Sequence, residues 1–185
     1  MRVIGGKYKR RELVKLPRQM RNLRPTYDRV REDIFNILST GVAGARFLDL
    51  YAGTGCVGIE AVSRGARVVT FVDSLPMSVR IIRQNCERLG IQESAVRMLQ
   101  MDARGFIRSL KSGKFDIIFI DPPYGSDLFD ETVDLIGEGG IVASGGIVVG
   151  QSDREVQVTN RGQIVCMRQL KCGKTWISFW ENSDQ

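Results

Sequence analysis

The sequence predicts a doubly wound α/β fold, a mostly parallel sheet with helices on both faces, and three observations predict it. Apolar, β-branched runs alternate with segments of helical period from residue 47 onward. The first of these runs opens into a glycine-rich turn over residues 49–58. A later run, residues 115–120, leads directly into Asp121-Pro122-Pro123-Tyr124.

Taken in order, residues 1–25 form a basic extension in which Arg2-Val3-Ile4-Gly5-Gly6 and Arg11-Glu12-Leu13-Val14 are placed to pair as a small hairpin. Residues 26–185 form the main domain. It opens with a helix: Val30, Ile34, Ile37 and Leu38 recur at helical spacing, Pro25 keeps the preceding chain extended, Thr26 caps, and Gly41 ends the segment. A strand follows at 47–51, a helix from about Val57, a strand at 68–72, a helix at about 77–89 and a strand at 96–99. The buried strand 115–120 and another at 147–149 complete the parallel set. Runs at 163–170 and 175–180, joined through Cys172-Gly173-Lys174, predict an antiparallel hairpin closing the edge of the sheet.

Composition limits the function. The length of 185 residues suits one domain. No run approaches the roughly 20 apolar residues of a membrane span, so a soluble, unexported, cytoplasmic protein is expected; a monomer is expected as well. Four cysteines without a C-x-x-C pair, and no histidine, leave the usual zinc and iron ligand sets unavailable, so no metal is expected. Any general base must then be a carboxylate, Lys, Tyr, Cys or water. The net charge of +6 is concentrated at the N-terminus, where Arg10, Arg11, Arg24, Arg29 and Arg31 are candidates for contact with a polyanion.

In the glycine turn, Gly53, Thr54 and Gly55 bring backbone N–H groups to a helix N-terminus, the place for a nucleotide-like ligand. Gly53, Gly55 and Gly58 also satisfy G-x-G-x-x-G with Asp73 about 20 residues on, so the turn alone admits NAD. Asp49 favours a different ligand. A carboxylate at that strand end would lie close to a pyrophosphate, whereas it can accept from the ammonium of S-adenosylmethionine. The helix entered here begins without Lys or Arg, and no histidine exists to donate a proton in hydride chemistry. On this reading Asp73 accepts from the ribose hydroxyls, Asp102 accepts from the adenine amino group, and the Ala103 N–H lies near the ring.

The tetrapeptide supplies the chemistry. An exocyclic amine on a base is a poor nucleophile because its lone pair is delocalised into the ring. Asp121 can accept one N–H and the Pro122 carbonyl the other, turning the lone pair towards a methyl donor and offsetting charge that develops on nitrogen. The prolines stiffen the loop, and the Tyr124 ring is placed to stack on an extruded base.

These stretches resemble a known family, the RsmD family of bacterial 16S ribosomal RNA guanine-N2 methyltransferases. The resemblance is carried by Arg2-Val3-Ile4-Gly5-Gly6, Arg24-Pro25-Thr26-Tyr27-Asp28-Arg29-Val30-Arg31-Glu32, Phe35-Asn36-Ile37-Leu38, residues 48–58, Ser63-Arg64-Gly65-Ala66, residues 119–124 and the Gly173-Lys174-Thr175 corner. It spans nearly the whole chain. It implies a class I S-adenosylmethionine-dependent methyltransferase, Rossmann-like, acting on the N2 amine of one guanine in 16S rRNA, free or in the small ribosomal subunit, with residues 24–31 on the substrate face. Two departures stand out: Gly150-Gln151 where an acidic residue is expected at the end of the fifth strand, and Cys172 where an aromatic often precedes the corner. Neither is expected to touch the chemistry.

Other functions share parts of the pattern. An adenine-N6 methyltransferase of RNA or DNA uses the same tetrapeptide logic, a glutamine-amide methyltransferase more typically has Asn in place of Asp121, and a non-catalytic ribosome-assembly factor would keep the fold without turnover.

Overall fold

In the computed structural model, residues 1–14, 28–110, 114–157 and 159–182 are described. Arg24, Pro25 and Thr26, with the helix start and RNA contact expected of them, lie outside these residues. The strands are β1 (Arg46–Leu50), β2 (Val68–Asp73), β3 (Val96–Gln100), β4 (Phe115–Ile120), β5 (Val142–Ser152), β6 (Ile164–Cys172) and β7 (Thr175–Asn182). They form one sheet in the order β3-β2-β1-β4-β5-β7-β6. The first five are parallel, and β7 runs antiparallel to both β5 and β6. The expected C-terminal hairpin is therefore present, with its second strand inserted beside β5 and its first at the edge.

The helices are α1 (Asp28–Leu38), α2 (Cys56–Ser63), α3 (Pro76–Leu89), α4 (Ala103–Ser109) and α5 (Leu128–Gly139). Side-chain alternation along β1 divides the core. Phe47 joins Phe71 and Phe119 in a layer under α1, α2 and α3. Leu48 and Leu50 join Val72, Ile118 and Ile120 in a layer with α4 and α5. Helix boundaries follow local chemistry: Pro76 occupies the first turn of α3 and Gly90, at φ 67°, ends it. Asp102 caps α4 by accepting from the backbone N–H groups of Arg104 and Gly105.

The chain order places a switch point between β1 and β4. From β1 the chain moves outward through β2 to β3, then returns to β4 on the other side. Ligands of open α/β sheets bind at such a point, beyond the carboxyl ends of the strands. Asp49 of β1 and the tetrapeptide after β4 both lie there.

The N-terminal segment is built into the first core layer. Val3, Tyr8 and Leu13 are buried with α1 and α2. A single antiparallel bridge joins Arg2 to Glu12, flanked by Val3 N–H donating to Arg11 O at 3.0 Å and Arg10 N–H to Val3 O at 2.8 Å. The larger tie is to Glu60 on α2, fully buried, whose carboxylate accepts from the N–H groups of Ile4 at 2.8 Å and Gly5 at 2.7 Å.

Candidate active site

The chain leaves β1 through three residues in the left-handed region, Tyr51 (φ 61°), Gly53 (φ 54°) and Gly55 (φ 73°). For Tyr51 this conformation is strained, and its hydroxyl is held to Thr132 Oγ1 at 2.7 Å. Gly58 is required by close approach rather than by its φ. A Cβ there would lie 2.2 Å from Phe71 Cε1 and 2.9 Å from Asp49 Oδ2.

Asp49 is 1% exposed and accepts the Gly58 N–H through Oδ2 at 2.9 Å. Burial pushes its pKa well above the ordinary carboxylate value; the Gly58 bond opposes this, and the charges of Asp121 and Asp73 reinforce it. A cation bound beside it relieves the cost. Asp73 accepts the Gly53 N–H through Oδ2 and the Leu75 N–H through Oδ1, each at 2.8 Å, so it also ties the glycine turn to the end of β2. Asp102 takes both of its capping bonds on Oδ1, at 3.1 Å each.

These groups converge on a cavity of about 500 Å³, within the range of ligand clefts. Its walls include Asp49, Gly53, Thr54, Asp73, Asp102, Ala103, Asp121, Pro122 and Tyr124. Every residue expected to act on cofactor or base is therefore gathered around one space except Gly55, which forms the turn behind the wall. Among the described residues, four carboxylates line it and no Lys or Arg does. Such walls repel a pyrophosphate and suit a cationic ligand rich in amine and hydroxyl donors, which fits S-adenosylmethionine and disfavours NAD.

Several wall residues were not expected. Gln151 lines the cavity, is 6% exposed, and donates through Nε2 to the Tyr124 hydroxyl at 3.2 Å. The Gly150-Gln151 departure thus reaches the cavity wall beside Tyr124, because β5 continues to Ser152 and carries Gln151 alongside the tetrapeptide. Asn85 of α3 is not itself a wall residue but is bonded to one: it is buried, donates to Thr54 O at 3.2 Å and accepts the Val14 N–H at 2.7 Å. Nothing local in the sequence marks either residue, since their partners are 27 to 71 positions away.

The arginine set divides. Arg10, Arg11 and Arg29 are exposed, and Arg11 Nη2 donates to Arg88 O at 3.1 Å. Arg31 is a correction. Instead of facing solvent it is fully buried, donating through Nη2 to Arg2 O and to Asp28 Oδ1, with Nε 3.8 Å from Glu60 Oε2. Its position on α1 turns it inward with Val30 and Ile34, and Asp28 and Glu60 supply the compensating charge. The cysteines Cys56, Cys86 and Cys166 are buried thiols, and burial pushes Cys86 up to about 11.

The family described as conserved hypothetical protein 95 matches residues 1–181, a span that takes in the glycine turn, the tetrapeptide and nearly all of β7. A curated Escherichia coli (strain K12) relative named ribosomal RNA small subunit methyltransferase D is 33% identical over 156 residues, covering 84% of this chain and 76% of that one. The chain belongs to the RsmD family. A second RsmD relative of the same name, from Haemophilus influenzae, is 28% identical and covers 98% of this chain and 94% of its own length. The solved structure of the Escherichia coli protein yhhF superimposes with a TM-score of 0.87 at 30% identity, over 100% of this RsmD-family chain and 99% of that one.

Proposed function

We propose that this RsmD-family protein transfers a methyl group from S-adenosylmethionine to the exocyclic N2 amine of a guanine in small-subunit (16S) ribosomal RNA. The observation that carries the reading is the single cavity in which the buried carboxylate of Asp49 and the Asp121-Pro122-Pro123-Tyr124 loop face the same space. The names of the curated relatives support ribosomal RNA of the small subunit as substrate. Guanine N2 follows from the resemblance of residues 24–32 and the N-terminal Ile4-Gly5-Gly6 to the family pattern.

When bound in the cavity, S-adenosylmethionine would supply an electrophilic sulfonium methyl, with the neutral thioether S-adenosylhomocysteine as the leaving group. Asp49 accepts from its ammonium group, and Gly53, Thr54 and Gly55 form the turn that holds the amino-acid end. Asp73 accepts from the ribose hydroxyls with the lone pairs not used by Gly53 and Leu75. Asp102, whose Oδ1 takes both capping bonds, would offer Oδ2 to the adenine amine, and the Ala103 N–H would lie near the ring. Asp121 and the Pro122 carbonyl would accept the two N–H bonds of the target amine and so orient the nitrogen lone pair for attack. Once methylated, the nitrogen is acidic and passes its proton to Asp121 or water. Tyr124 stacks on the base, while Arg10, Arg11, Arg29 and Arg24 engage RNA phosphates. The protein acts in the cytoplasm as a monomer, without a metal.

The test is transfer of labelled methyl from S-adenosylmethionine to small-subunit RNA, with nucleoside mass spectrometry of the product. N2-methylguanine is expected, and N6-methyladenine would refute the guanine assignment. Asp121→Ala should lower the rate by about 10²–10³ or more while cofactor binding persists. Equal rates for mutant and wild type would remove Asp121 from the chemistry.

A further inference from the structure

The hydroxyl of Tyr124 is held from two sides by groups outside its own loop. Gln151 Nε2, from β5, lies 3.2 Å away, and Thr175 Oγ1, the first residue of β7, also lies at 3.2 Å. Both partners are buried, Gln151 at 6% and Thr175 at 7% exposure, whereas Tyr124 is 38% exposed. The residue therefore has a fixed polar end and an accessible body that lines the cavity. The hydroxyl accepts from Gln151, and with Thr175 either hydroxyl can donate, so the two contacts can use both its accepting and its donating capacity.

The loop has one further tie outside itself and one within. Gly125 N–H donates to Asp153 Oδ2 at 3.2 Å, just beyond β5, and Ser126 Oγ donates to Pro123 O at 2.7 Å. Thr175 belongs to the Gly173-Lys174-Thr175 corner, where Gly173 at φ 67° makes the turn from β6 into β7. The antiparallel pair thus does more than close the sheet. It brings a threonine hydroxyl, 51 residues from Tyr124 in sequence, against the loop that faces the base.

We infer that Gln151 and Thr175 are positioning residues for methyl transfer: they clamp the Tyr124 hydroxyl and thereby set the plane on which the target base stacks. The inference rests on the RNA-methylating reading of the site. Its physical basis is that a ring attached to an exposed loop can turn about its side-chain torsions. A base stacked on it moves with it, and small misplacements of a nucleophile cost rate steeply. Two hydrogen bonds at the ring's far end remove that freedom before substrate arrives.

The experiment uses the intact protein and small-subunit RNA. Tyr124→Phe, Gln151→Leu and Thr175→Val should each lower kcat/KM for RNA by about 10-fold, with S-adenosylmethionine affinity unchanged. Thr175→Ser, which keeps the hydroxyl, should restore most of the rate. In the Tyr124→Phe background the Gln151 and Thr175 changes should add almost nothing, since the group they clamp is gone. Multiplicative losses, or losses matched by weaker cofactor binding, would overturn the clamp, as would full activity of Tyr124→Phe. Inactivity of the wild type on RNA defeats the functional reading and the clamp with it; an active wild type with indifferent single mutants defeats the clamp alone.

Discussion

Asp49 Oδ2 and the backbone N–H of Gly58, nine residues apart, are joined at 2.9 Å, so the deepest carboxylate of the cavity is bonded to the first turn of α2. Its other neighbours are acidic, and its pKa is raised chiefly by burial. At a pH between the unfolded and folded values, the folded state holds a proton that the unfolded chain has lost. Stability contributed by this group falls as pH rises from the unfolded value through the folded one. Asp49→Asn keeps an oxygen for Gly58 and removes the charge. The free protein should melt at a higher temperature than wild type at neutral pH, while S-adenosylmethionine binds at least about 10-fold more weakly. Wild-type affinity for the cation should rise with pH, with proton release seen by calorimetry in buffers of different ionisation enthalpy. The mutant should show no such release.

Gly58→Ala sets helix propensity against packing. Alanine gains about 1 kcal/mol in a helix interior. The added Cβ meets the buried Phe71 ring at 2.2 Å and Asp49 Oδ2 at 2.9 Å, however, and overpacking of this kind costs about 1–3 kcal/mol. A net loss of stability and weaker cofactor binding are expected, measured by urea unfolding and by titration. A stabilised mutant would mean that α2 can move away from the sheet freely.

Glu60 is fully buried among Arg31, Arg64 and the N–H groups of Ile4 and Gly5. Glu60→Ala leaves the buried Arg31 with the half-exposed Asp28 but without its buried partner, removes the acceptor of the Ile4 and Gly5 amides, and should cost about 3–5 kcal/mol. Hydrogen exchange should show the Ile4 and Gly5 amides losing protection ahead of the sheet.

Exposed arginines on the N-terminal segment should act through phosphate. Arg10→Gln and Arg11→Gln should each reduce the slope of log K against log salt for RNA by about 0.7–0.9 and leave cofactor affinity unaltered. An unchanged slope would make the segment a solubilising surface.

Much of this architecture is visible in local pattern. The strands β2 and β4, the helix α3 and the C-terminal hairpin follow from apolar runs, Pro76 and the Gly90 and Gly173 turns, because each is decided within a few residues. The helix α5 is legible in retrospect: Phe129, Val133 and Ile136 recur at helical spacing, but the preceding Pro-rich loop draws attention away from it. The glycine turn and the tetrapeptide were legible for the same reason. A turn that needs φ > 0, and a carboxylate placed directly after a buried strand, leave their mark in contiguous residues.

What the sequence by itself determined is the order of the elements and the chemical inventory at the strand ends: Asp49, Asp73, Asp102 and Asp121, with no histidine to compete. Tertiary structure decided which charges are seen by a ligand and which are internal. Arg29 and Arg31 are two residues apart on α1, yet one is exposed and the other buried against Glu60. The same holds for Tyr124, whose partners Gln151 and Thr175 reach it only because β5 and β7 are adjacent in register. The physical reason is that burial and hydrogen bonding depend on what packs opposite a side chain, and that is settled by contacts tens of residues away rather than by its neighbours in the chain.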